Sequence, residues 1–96
     1  MSFAEFERSV AGEPAPPAAL PGPVRALWLD ARGEWAAAHT VVQEDASRDA
    51  AWVHAYLHRK EGDEGNAGYW YARAGRPPSR DPLGVEWARI ARTLLE

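Results

Sequence analysis

The sequence predicts an all-α protein, on three observations. Apolar side chains recur at helical spacing through successive segments; prolines fall between those segments or at their first turn; and nowhere do apolar and polar residues alternate between turn signals, as a half-buried strand requires. At 96 residues the chain is long enough for one hydrophobic core and too short for two. The expected organisation is a single domain over 1–96: a short N-terminal helix (2–10), a proline-rich connector (11–23), two helical hairpins in tandem (24–78) and a closing helix (81–95).

Each element has a local cause. Ser2 with Glu5 three residues on forms a capping box, and Phe3, Phe6 and Val10 then share one helical face. The stretch from Gly12 to Pro23 holds five of the eight prolines, a density that prevents a helix and favours extended chain, with Ala19 and Leu20 tacked to the core. Pro23 suits the first turn of a helix, where Val24, Leu27, Trp28 and Ala31 recur until Gly33. A second helix begins at Glu34, with Trp35, His39, Val42 and Ala46 on one face and the small Ala36, Ala37 and Ala38 allowing close approach. Ser47 is a good N-cap for a helix running to about Glu61. Gly62 stops that helix, Asp63 caps the next over Glu64 to Ala74, and Gly75 with Pro77-Pro78 ends it. Asp81-Pro82 opens the closing helix, whose Leu83, Trp87, Ile90, Ala91 and Leu94 form an apolar stripe and whose Glu86, Arg89 and Arg92 are expected to face solvent.

Composition excludes several function classes. Eleven basic and 14 acidic residues are interspersed, for a net charge of -3, so no extended basic surface for a nucleic-acid backbone is expected. Cysteine is absent, which removes disulfides, thiolate metal sites and cysteine nucleophiles together. The N-terminal MSFAEFERSV lacks the apolar run of a signal peptide, and no segment approaches the roughly 18 apolar residues of a membrane span. A cytoplasmic protein without a membrane or nucleic-acid partner is the expectation.

A shift of 29 residues lays Gly33-Glu34 on Gly62-Asp63, Leu27 on Tyr56, Ala38 on Ala67 and Val42 on Tyr71, which supports two related hairpins stacked side by side. Within the second, Gly62-Asp63, Asn66-Ala67, Tyr69-Trp70-Tyr71 and Ala74-Gly75 resemble the second helix of tetratricopeptide and Sel1-like repeats. More closely, HAYLHRKEGDEGNAGYWYARAG is similar to a signature of small uncharacterised bacterial and fungal proteins, which supply no activity to transfer. The resemblance spans about residues 24 to 78 and implies a tetratricopeptide-like fold and a non-enzymatic binding or interaction module, acting on a protein partner, on a second copy as a homodimer, or on a small molecule. The spacing is shorter than the roughly 34 residues of a tetratricopeptide unit, and two units are fewer than an extended peptide groove needs.

The residues that can carry chemistry concentrate in the second hairpin. His54, His58 and Glu61 lie at i, i+4 and i+7 on one stripe, a spacing that lets two imidazoles and a carboxylate hold zinc or another divalent ion, with His39 of the first hairpin as a further ligand. Such a metal would open the alternative function, a metal or small-molecule binding protein with a possible enzymatic role. The structural reading beside it is histidines that hydrogen-bond between helices. There is no His-Glu-x-x-His to supply a metalloprotease base, no nucleophile paired to a histidine, and no phosphate-cradling loop in GDEGNAG. His39 and Gln43, inward on an apolar face, need polar partners and are expected near His54 or His58. Asn66, Trp70 and Arg73 form a second stripe that can hold a planar or anionic ligand, or can simply support the turn and the hairpin core. Five tryptophans, one to each major helix, suggest a shared aromatic core with indole N–H groups at its edge.

Overall fold

The computed structural model describes residues 1–96 and contains helices only. They are α1 (Phe3–Gly12), α2 (Gly22–Ala31), α3 (Trp35–Gln43), α4 (Arg48–Lys60), α5 (Glu64–Ala74) and α6 (Leu83–Leu95). None is long and apolar enough to cross a membrane. The chain is all-α, as its periodicity and punctuation predict.

Local chemistry sets the helix ends. The Ser2 hydroxyl accepts from the Glu5 N–H at 3.1 Å while the Glu5 carboxylate accepts from the Ser2 N–H at 2.8 Å, a complete capping box. Ser47 caps α4 by accepting from the Ala50 N–H, and Asp63 caps α5 by accepting from the Asn66 N–H, both at 3.1 Å. Gly33 and Gly62 close α2 and α4 in the left-handed conformation, at φ of 80° and 88°. In both, the next N–H reaches back across the turn: Glu34 N–H donates to the Leu29 carbonyl at 3.0 Å and Asp63 N–H to the His58 carbonyl at 2.9 Å. The two breaks that the 29-residue shift superimposes therefore share one geometry. They differ at the start of the following helix, where Glu34 makes no side-chain cap and the shorter Asp63 does.

Helix α4 is the centre of the molecule. It packs against α2, α3, α5 and α6, and every residue from Ala50 to His58 is buried. Ala50, Ala51 and Ala55 let neighbouring helices approach it closely. The closest pairings are α2 with α3 and α4 with α5, consistent with two hairpins. Helix α6 lies across α2 and α4, where the Trp87 indole donates to the Leu27 carbonyl at 3.0 Å. Helix α1 docks on α6 through Phe6 stacked on Trp87 and Phe3 edge-on to it. Of the connector, Leu20 is buried and Ala19 is exposed.

Two expectations for α6 are corrected. Leu83, placed on its apolar stripe, is exposed at the first turn of the helix. Glu86 does not face solvent; it is 1% exposed. Its carboxylate accepts from Arg59 Nη1 at 2.8 Å and from the Tyr71 hydroxyl at 2.6 Å, tying α6 to α4 and α5. The helical period placed it off the apolar stripe, but α4 and α5 present a guanidinium and a phenol at that edge, which replace water as partners. Asp30, also buried, is held by Lys60 at 3.0 Å and ties α2 to α4. Burial raises the hydroxyl pKa of both Tyr56 and Tyr71, reinforced at Tyr56 by the Asp30 and Glu86 charges and at Tyr71 by its hydrogen bond to Glu86.

Candidate metal centre

Helices α3 and α4 pack together so that His39 of α3 meets His54 and His58 of α4. The pair on α4 follows from i, i+4 spacing: their rings stack with centroids 4.8 Å apart. His39 is brought in by Trp35, one turn earlier on α3, whose ring stacks on it at 5.0 Å and whose indole N–H donates to the Leu57 carbonyl of α4 at 2.9 Å. From the other side Trp70 of α5 stacks on His54 at 3.9 Å. Three imidazoles thus sit between two indoles, with His54 3% and His58 8% exposed and His39 half-buried at the solvent edge.

The polar contacts fix much of the protonation pattern. His39 Nε2 and His54 Nε2 are 3.0 Å apart, so one nitrogen carries the proton that the other accepts. His58 Nδ1 lies 2.7 Å from Glu61 Oε1, where Nδ1–H donates and the carboxylate accepts. His54 Nδ1 is the one buried side-chain polar atom without a partner. Burial lowers the pKa of His39, with the nearby His58 acting in the same direction and Glu61 opposing. Burial, then His39 and His58, lower that of His54 to about 4. Both rings are therefore neutral at pH 7, the form in which imidazole ligates a metal.

The group His39, His54 and His58 can hold a metal ion: one nitrogen from each lies within 4.8 Å of the others. Metal–nitrogen bonds of roughly 2.0–2.1 Å at tetrahedral angles separate adjacent ligand nitrogens by about 3.3 Å. The His39–His54 separation of 3.0 Å is close to that value, both Nε2 atoms being free to ligate once the proton they share moves to Nδ1 of its ring. The other separations, all within 4.8 Å, exceed it by at most roughly 1.5 Å.

The remaining candidates distribute around this group. Glu61 serves His58 through Nδ1 and falls into a second, more exposed grouping with His58 and Asp63. Asn66 is drawn away to the turn, donating from Nδ2 to Asp63 Oδ2 at 2.7 Å. Gln43 is exposed and lines a cleft of about 390 Å³ with Arg48, Trp70 and Arg73. Arg73 lies over Trp70 at 5.5 Å and donates to the Tyr69 hydroxyl at 3.1 Å. The Trp70 ring thus takes part in both the histidine stack and this cleft. The walls Trp35 and Trp70 were legible only in part: Trp35 lies four residues before His39, a readable stacking interval, whereas the meeting of Trp70 with His54 depends on the closure of the second hairpin.

Comparisons with protein-family models, with curated proteins and with solved structures find no match to this chain. Function is therefore argued from the site's own geometry.

Proposed function

We propose that this protein binds a divalent transition metal such as zinc through His39, His54 and His58. The observation that carries the proposal is the convergence of three imidazole nitrogens from two hairpins within 4.8 Å. Neutral imidazole suits zinc, copper and nickel, and the absence of any thiolate in the chain disfavours the softer alternatives. Glu61 acts as the carboxylate behind a ligating histidine, fixing the ring and raising its basicity. None of the five surface clefts is lined by a histidine of the group, so binding, and not turnover of an enclosed substrate, is the role proposed for the ion.

Zinc titration of tag-free, metal-stripped protein tests this. One equivalent bound at pH 7, lost in His39→Gln and in His58→Gln, is the expected outcome; unchanged binding in both variants contradicts it.

A second reading, an interaction module for a protein partner or a homodimer, is favoured by the Tyr69–Arg73 pair. Tyr69 is exposed on α5 with the Arg73 guanidinium 5.8 Å over its ring, a combination enriched at binding surfaces. Light scattering and cross-linking of wild type against Tyr69→Ala test it; a monomer without cross-linked partners in both forms removes it.

A further inference from the structure

The connector between α5 and α6 gathers positive charge in a chain that is acidic as a whole. Arg76, Arg80 and Arg89 line one cleft of about 320 Å³, together with Trp52 of α4 and the carboxylates of Asp81 and Glu86. It shares no residue with the three-histidine group.

Both carboxylates of the cleft are already engaged. Glu86 is held by Arg59 and the Tyr71 hydroxyl, and Asp81 Oδ2 lies 2.5 Å from Arg89 Nη2. Arg80 makes no hydrogen bond or ion pair within the protein, and it also borders the neighbouring cleft of about 230 Å³. The Arg76 guanidinium carbon lies 3.9 Å from the centre of the Trp52 ring, and its N–H groups make no hydrogen bond or ion pair within the protein. Arg59 answers Glu86 and Arg89 answers Asp81, which leaves Arg76 and Arg80 as a surplus of two guanidiniums without a carboxylate partner, with Glu64 bordering the adjoining cleft that Arg80 shares. Unpaired guanidiniums lining one cleft favour an anion from solution.

The arms of the cleft are also set in advance. Pro77 and Pro78 between Arg76 and Arg80 fix their own backbone and favour extended chain. The far end of the connector is pinned where Arg59 donates to the Asp81 carbonyl and where the Asp81 N–H donates to Ser79 Oγ. Ordering of this kind lowers the entropic cost of binding.

We propose that this cleft binds a small phosphorylated compound, its phosphate held between the guanidiniums of Arg76 and Arg80. A phosphate group carries about -1.5 to -2 at pH 7, which answers the surplus of two where a carboxylate answers half of it. Guanidinium forks match phosphate oxygens two at a time. The volume exceeds what phosphate alone fills and lies in the range of small-molecule sites. Trp52 is the one large apolar wall, and Arg76 covers its face, so the anionic group dominates recognition.

The test is an NMR titration of the five tryptophan indole N–H resonances with inorganic phosphate, pyrophosphate and acetate, at constant ionic strength set with sodium chloride. Saturable movement of the Trp52 resonance is expected with phosphate, tighter binding with pyrophosphate, and at least about tenfold weaker binding with acetate. Arg80→Ala, which removes no internal contact, is expected to weaken phosphate binding about tenfold, and Arg80→Glu to abolish it. Arg80→Lys should fall between wild type and Arg80→Ala, because it keeps the charge and loses the fork. The proposal is overturned by a linear response into the tens of millimolar, by equal responses to phosphate and acetate, or by an Arg80→Ala titration that superimposes on wild type.

Discussion

His54 is the most constrained residue of the protein: Trp70 covers one face, His58 stacks nearby, His39 takes one ring nitrogen and the other has no partner. A buried polar atom left unpaired typically costs about 1–3 kcal/mol. Its pKa near 4 and the lowered pKa of His39 make stability depend on pH, with a definite sign. Both folded values lie below the ordinary 6.5, so on acidification the unfolded chain takes up protons first. The stability that comes from keeping these rings neutral is full above about pH 6.5 and is lost as pH falls through the folded values to about 4. Melting temperature measured from pH 7 to pH 4 should fall over that window, and His54→Gln should flatten the fall. At Glu61 the prediction concerns affinity: Glu61→Gln keeps the shape but weakens the support of His58, and should reduce zinc affinity about 10–100-fold in a chelator competition. The i, i+4 stripe of His54 and His58 was plain in the sequence because it needs only the helical period. The contact of Glu61 with His58 was less plain, because it depends on the rotamers of two side chains at the last turn of α4 and not on the helical period alone.

The elements owe their legibility to turn chemistry, which is local. Gly62 shows this best: its φ of 88° suits glycine, and a Cβ added there would meet nothing within 4 Å. Gly62→Ala should therefore cost only the backbone term, about 1–2 kcal/mol in denaturant unfolding, with Gly33→Ala costing about the same. Capping residues, proline positions and glycine stops were readable for the same reason, since each acts within a few residues of itself. What a helix meets across the core is not local. Glu86 lies off the apolar stripe of α6, and a single-helix pattern assigns such a residue to water; its partners Arg59 and Tyr71 come from 27 and 15 residues away. Removing one side of this buried arrangement leaves Arg59 without its counter-charge, so Glu86→Ala should destabilise by about 3 kcal/mol by thermal or denaturant unfolding. The triple replacement Arg59→Met, Glu86→Leu and Tyr71→Phe, which removes the hydroxyl that Glu86 otherwise satisfies, should recover most of that loss.

For the whole molecule, the arrangement of helices around α4 is what turns scattered histidines into a group. Only the stacking of α3 on α4 brings His39 to His54. The same stacking left Gln43 outside, one turn further along α3, where the helix runs out to the exposed corner before Ser47. A metal held by His39, His54 and His58 would bridge the two hairpins, so its binding free energy would add to the stability of the whole fold. At a free metal concentration a hundredfold above Kd the gain is about 2.7 kcal/mol, which for a domain of this size raises the melting temperature by on the order of 10–20 °C. The most direct measurement is the melting temperature of tag-free protein at pH 7, stripped of metal and then given one equivalent of zinc, beside His39→Gln and His58→Gln. A rise of that order in the wild type that is reversed by chelator and absent from both variants is the predicted result. No rise in the wild type, or the same rise in the variants, would contradict a three-histidine metal centre.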